Sequence, residues 1–145
     1  MRHDRPRNGT YQPILAVVAD DQSKSDAIEL LRVWRPQIET WKLVATRETG
    51  NLIEARLGLD VELLGPGSRG GAYQIASLVV SEQVAAVISL SQQSSRLGGN
   101  TALTALRDAC DIRNVPHASN VATAEAVLGW LLRPSEEHVV AGLVV

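Results

Sequence analysis

The strongest constraint on this chain is an alternation. Short, unbroken apolar runs are separated by segments whose apolar residues recur at helical spacing. The clearest run is Ile14-Leu-Ala-Val-Val-Ala19, with no polar residue to turn toward water. A half-exposed strand alternates apolar and polar residues, so an unbroken run belongs to a strand covered on both faces. After Asp20-Asp21-Gln22-Ser23, the residues Ala27, Leu30, Leu31 and Trp34 share a helical face. Arg35-Pro36 is expected to end that helix, because proline disfavours helical geometry in the residue before it. The pattern then repeats. Strand two is read over 41–45, a helix over 49–57 closed by Gly58, strand three over 61–64, and a helix through Ile75, Leu78 and Val79. Strand four is read over 85–90, a helix through Leu103, Leu106 and Cys110, and strand five over 115–119. A last helix carries Ala124, Val127, Leu128 and Leu131, stopped by Arg133-Pro134. Strands that alternate with helices in this way imply an α/β fold, a doubly wound parallel sheet with helices on both faces and right-handed crossovers.

Composition excludes several classes. The 145 residues suit one domain with one core. A net charge of −2 gives no field drawing the chain to a nucleic-acid polymer or an anionic membrane, and no apolar run approaches a bilayer span. The basic stretch 1–10 is followed by no apolar segment of the secretory kind, so a cytoplasmic protein is expected. Cys110 is the single cysteine and lies on an apolar helical stripe, where a core role is expected. His3, His117 and His138 are scattered, no residue set has metal-ligand spacing, and no serine sits in a nucleophile-elbow motif. No cofactor is expected.

Open parallel sheets bind ligands beyond the carboxyl ends of their strands, where the strand order reverses. Segments 20–24, 46–51, 65–72, 91–100 and 119–123 fall there, and all are rich in small, hydroxyl or glycine residues. Thr46-Arg-Glu-Thr49-Gly50-Asn51 joins a strand to a helix N-terminus, where hydroxyls and unpaired backbone N–H groups suit an anion. On a plainer reading Thr49 only caps its helix. In Gly65-Pro-Gly67-Ser68-Arg69-Gly70-Gly71 the glycines let the backbone approach a ligand, and Ser68 and Arg69 can donate to a phosphate. Lys24, one of only two lysines, stands just past strand one. Together these loops point to an anionic ligand.

The same loops resemble the methylglyoxal synthase family and the related regulatory domain of carbamoyl-phosphate synthetases, over roughly residues 13–132. Ala45-Thr46-x-x-Thr49-Gly50-Asn51-Leu52-Ile53 is similar to the synthase segment A-T-G-T-T-G-N-L-I, and Gly67-Ser68-Arg69-Gly70-Gly71 to its G-P-M-G-G loop. Pro116-x-Ala118-x-Asn120-Val121-Ala122-Thr123-Ala124 is similar to P-V-A-T-N-V-A-T-A. The resemblance implies a five-stranded parallel sheet of order 3-2-1-4-5 over a domain at 13–145, and the polar stretch before it, 1–12, is expected to be a flexible lead-in. The resemblance also implies a homo-oligomer, a hexamer before a dimer, and the apolar tail at 139–145 is suited to burial in such an assembly. The synthases convert dihydroxyacetone phosphate to methylglyoxal and phosphate. Their phosphate-holding positions fall here on Lys24, Thr46 and Thr49, with Gly67 and Ser68 matching more loosely. The crevice is thus expected to hold Lys24, Thr46, Thr49, Gly50, Asn51, Gly67, Ser68, Arg69 and Gly70, with Asn120 and Thr123 at its far side.

The departures fall where the chemistry lies. The synthase base is the aspartate after the Gly-Gly pair, and here that position is Ala72. The places of an aspartate, a histidine and another aspartate after strand four hold Gln92, Gly99 and Ala102. A histidine after strand one is Asp20, and one phosphate-loop threonine is Glu48. The expectation is a non-catalytic, regulatory module that binds a small phosphorylated metabolite or nucleotide, with nucleotides and cyclic dinucleotides favoured over a triose phosphate. An active methylglyoxal synthase and an assembly subunit of a larger complex are the alternatives.

Overall fold

The computed structural model describes residues 12–67, 70–81, 84–92 and 101–132. The elements run β1 (Ile14–Ala19), α1 (Lys24–Ile38), β2 (Lys42–Ala45), α2 (Arg47–Leu57), β3 (Val61–Leu63), α3 (Gly71–Val80), β4 (Val84–Leu90), α4 (Thr101–Arg113), β5 (His117–Ala118) and α5 (Val121–Leu131). The strands form one sheet of order β3-β2-β1-β4-β5, every neighbouring pair parallel. The expected doubly wound fold is therefore the observed one.

The central strand explains why its sequence is apolar throughout. Leu15, Val17 and Ala19 enter one core with α1, α2 and α5, while Ala16 enters a second core with α3 and α4. Both faces of β1 are covered, so alternation would have placed polar groups inside protein. In β4, Ala86, Ile88 and Leu90 serve the first core and Val84 and Val87 the second. The pairing of β1 with β4 shifts register between Ile14 and Leu15, so Ala85 is the extra residue there.

Several element boundaries differ from the sequence reading, most of all those of α1, α2 and β5. α1 does not end at Arg35-Pro36 but continues to Ile38. Proline removes one hydrogen bond near the helix end, and both Pro36 and Arg32 are exposed residues. The extra turn brings Ile38 to complete burial, and the Arg35 guanidinium donates to the Leu57 carbonyl. α2 begins at Arg47, because Thr46 rather than Thr49 holds the extended N-cap conformation (φ −61°, ψ 155°). Strand five shrinks to its two residues paired with β4. Among the described residues no helix is long and apolar enough to cross a membrane. The apolar tail, and the oligomer expected from it, lie outside the described residues.

Candidate functional site

β1 and β4 are neighbours whose following helices lie on opposite faces, so a crevice opens beyond their carboxyl ends. It forms a cavity of about 610 Å³. Its polar wall is Asp20, Asp21, Gln22, Lys24, Thr46 and Glu48, with Ser91 and Gly67 at the edges. Its apolar wall is Val18, Ala19, Ala72, Leu90, Ala102 and Leu103.

Two of the expected phosphate ligands, Lys24 and Thr49, meet at the Ala19 carbonyl, and Thr46 joins them through Thr49. The Lys24 ammonium donates to the Ala19 carbonyl at 3.1 Å and to Asp21 Oδ1 at 2.8 Å. The Thr49 hydroxyl donates to the same Ala19 carbonyl at 3.2 Å, and the Thr46 hydroxyl donates to Thr49 Oγ1 at 3.3 Å. Both threonines are only 2% exposed. The end of β1 thus organises a lysine from α1 and two threonines from α2. The threonine protons are engaged, whereas an ammonium has three and two are accounted for, leaving one to turn toward a ligand. The first-turn N–H groups of Glu48 and Thr49 have no carbonyl four residues back within the helix, which adds donors at this end.

The loop after β3 is drawn onto α3. Gln74 Oε1 accepts from the Gly65 N–H at 2.7 Å, and the Gly71 N–H donates to the Pro66 carbonyl at 3.0 Å. Gly70 caps α3 in the left-handed region (φ 94°), which suits glycine. Ser68 and Arg69 lie outside the described residues.

The remaining expected residues take other roles or stand away from the cavity. Gly50 is a packing residue: a Cβ there would come 2.2 Å from Leu63 Cδ2, so the glycine lets α2 settle on β3. Asn51 is exposed on α2. Asn120 caps α5 by accepting from the Thr123 N–H at 2.8 Å, and neither Asn120 nor Thr123 is among the residues lining the cavity.

Two features escaped the sequence reading. Asp20 Oδ2 accepts from the Ser91 hydroxyl and the Gln92 N–H, both at 2.9 Å, and Gln92 Nε2 donates to the Gln22 carbonyl at 3.3 Å. This stitch closes the β1 loop against the exit of β4. Its one available signal was the sheet order, which sets Ala19 beside Leu90. The second is a part-buried pair between β4 and β5, Ser89 Oγ and His117 Nε2 at 2.6 Å.

That pair makes His117 a structural histidine with a pH signature. Burial holds its imidazole below the ordinary value, with Asp111 opposing the shift and Arg107 adding to it. A histidine whose folded value is depressed favours the folded state in its neutral form. Its contribution is present above the unfolded value, about 6.5, and is lost as pH falls toward the folded value. Urea midpoints should therefore fall between about pH 7 and pH 5.5 more steeply in the wild type than in His117→Gln. Parallel curves would remove His117 as the cause. Cys110 is fully buried in the second core, and burial, with Asp111 second, pushes its thiol up to about 11. It is core, as expected. Among the described residues no group of three or more His, Cys, Asp or Glu could hold a metal ion.

Ala72, at the position the resemblance gives to the general base, stands in the wall of the same cavity as Lys24 and Thr46. Asp20 and Glu48 also line it, so three described carboxylates accompany one ammonium.

No protein-family model matches the chain. Among curated proteins it is 36% identical over 126 residues to a methylglyoxal synthase of Burkholderia multivorans, covering 87% of this chain and 97% of that one. It is 38% identical over 121 residues to a methylglyoxal synthase of Burkholderia mallei, covering 83% and 93%. Among solved structures it superposes on the methylglyoxal synthase of Elizabethkingia anophelis with a TM-score of 0.73 at 29% identity, covering 81% of this chain and 77% of that one. Fold, loop placement and identity over most of both chains agree, and this chain belongs to the methylglyoxal synthase family.

Proposed function

We propose that this protein is a non-catalytic, regulatory member of its family that binds a small phosphorylated ligand in the crevice beyond β1 and β4. The observation that carries the reading is a combination within one cavity: Lys24, Thr46 and the α2 N-terminus remain as a phosphate frame, while Ala72 occupies the place of the base. A methyl group can take no proton from a carbon beside a carbonyl. The phosphate would sit where the free N–H of Lys24 and the first-turn N–H groups of α2 converge, with its body along Val18, Leu90 and Leu103. About 610 Å³ falls within the usual range for small-molecule sites and suits a body larger than a triose, so a ligand of mononucleotide size is favoured.

Calorimetric titration tests this. Mononucleotides, cyclic dinucleotides and triose phosphates are titrated into the wild type, Lys24→Ala and Thr49→Val. Removing the lysine takes away one charge-assisted contact, about 1.5–3 kcal/mol, or roughly ten- to a hundredfold in affinity. Thr49→Val breaks the hydroxyl chain at the Ala19 carbonyl and should weaken binding by less. A ligand that binds tightly and is indifferent to both substitutions sits elsewhere. The second reading, an active synthase, is favoured by the names of the relatives at 36% and 38% identity. It requires a base from a wall that has lost the one its resemblance supplies.

A further inference from the structure

We infer that the ligand of this crevice carries an ammonium group beside its phosphate ester, and that Glu48 reads it. The inference rests on the crevice being a phosphate-ester site. The three carboxylates of the wall differ in what they already hold. Asp21 is 98% exposed and is paired with Lys24. Asp20 is committed to the Ser91 hydroxyl and the Gln92 N–H. Glu48 lines the cavity from the first turn of α2, and among the described residues it forms no ion pair or side-chain hydrogen bond.

That location sets the charge pattern the ligand must match. Lys24 is already partnered by Asp21, so among the described residues lining the cavity a phosphate entering beside Thr46 meets one shared cation and the Glu48 carboxylate. A purely anionic ester is repelled by that carboxylate at short range, and a hydroxyl in its place leaves the charge unbalanced. An ammonium on the ligand converts the repulsion into a charge-assisted hydrogen bond and leaves the phosphate to Lys24 and the helix N–H groups. Amino-sugar phosphates and other zwitterionic phosphate esters are the class with this pattern, and the apolar wall can pack against a ring.

The test uses two probes that differ in one group, glucosamine 6-phosphate and glucose 6-phosphate, with inorganic phosphate as the reference. They are titrated at neutral pH into the full-length wild type and Glu48→Gln, and circular dichroism checks that the variant is folded. The wild type should bind the amino ester about tenfold more tightly than its hydroxyl twin, and Glu48→Gln should bring the two close to equal. Equal binding of both esters by the wild type overturns the inference and leaves the phosphate site standing. A preference that survives in Glu48→Gln removes Glu48 as the reader and overturns it too. If neither ester binds, the inference is overturned, and the nucleotide titrations decide the phosphate-site reading separately.

Discussion

Gly71→Ala is expected to destabilise the fold by about 1–3 kcal/mol or more, the usual cost of forcing atoms into a packed site. A Cβ at Gly71 would lie 2.3 Å from the Gly65 carbonyl oxygen, 2.8 Å from Thr46 Cγ2 and 3.1 Å from the Pro66 carbonyl oxygen. None of the three can yield easily. Gly65 is held at both ends, its carbonyl accepting from the Arg47 N–H and its N–H donating to Gln74. Thr46 is buried and bonded to Thr49. The cost is steric, since Gly71 is not among the glycines of positive φ. Gly67→Ala is the control: nothing lies within 4 Å of a Cβ there, so its urea midpoint should stay near the wild-type value. Because the Gly71 clash falls on Thr46 and on the loop after β3, ligand affinity should drop along with stability. Wild-type stability in Gly71→Ala would mean that the loop after β3 moves freely.

Much of this architecture was legible in the sequence, for a physical reason. A strand buried on both faces must be apolar throughout, so Ile14–Ala19 announced both its conformation and its central position. The helices showed their buried stripes at Leu30, Leu31, Ile53, Ile75, Leu106 and Leu128. Boundaries were harder, because a proline in the last turn of a helix removes only one hydrogen bond. The extra turn of α1 was decided by the burial of Ile38, a tertiary fact.

The site was legible by location more than by detail. The rule that ligands meet parallel sheets at the carboxyl ends of strands placed Lys24, Thr46, Gly67 and Ala72 at one cavity. It could not show that Lys24 and Thr49 share the Ala19 carbonyl, since that depends on the direction of one backbone group. It could not separate a glycine serving a ligand from one serving packing, and Gly50 proves to pack against Leu63. Asn120 stood directly before a helical stripe, the signature of a cap, and it caps α5.

The largest expected effect is on chemistry. A positioned general base is worth about 10²–10⁴-fold in rate, and the place that the resemblance gives it is held here by Ala72, which has no titratable group. Ala72→Asp should restore little. The aspartate would enter a site where Asp20 is engaged by Ser91 and Gln92 and where the wall offers Ala102, at positions to which the resemblance gives a histidine and an acidic residue. A second nearby carboxylate would also make its ionisation less favourable. Groups that act as a unit are not recovered one at a time.

The direct measurement is methylglyoxal formation from dihydroxyacetone phosphate by the purified wild-type protein at neutral pH, compared with the same reaction without protein. The expected result is a rate indistinguishable from the protein-free background, with Ala72→Asp close to it. A robust rate proportional to protein concentration would contradict the non-catalytic reading and return this chain to the synthases it resembles.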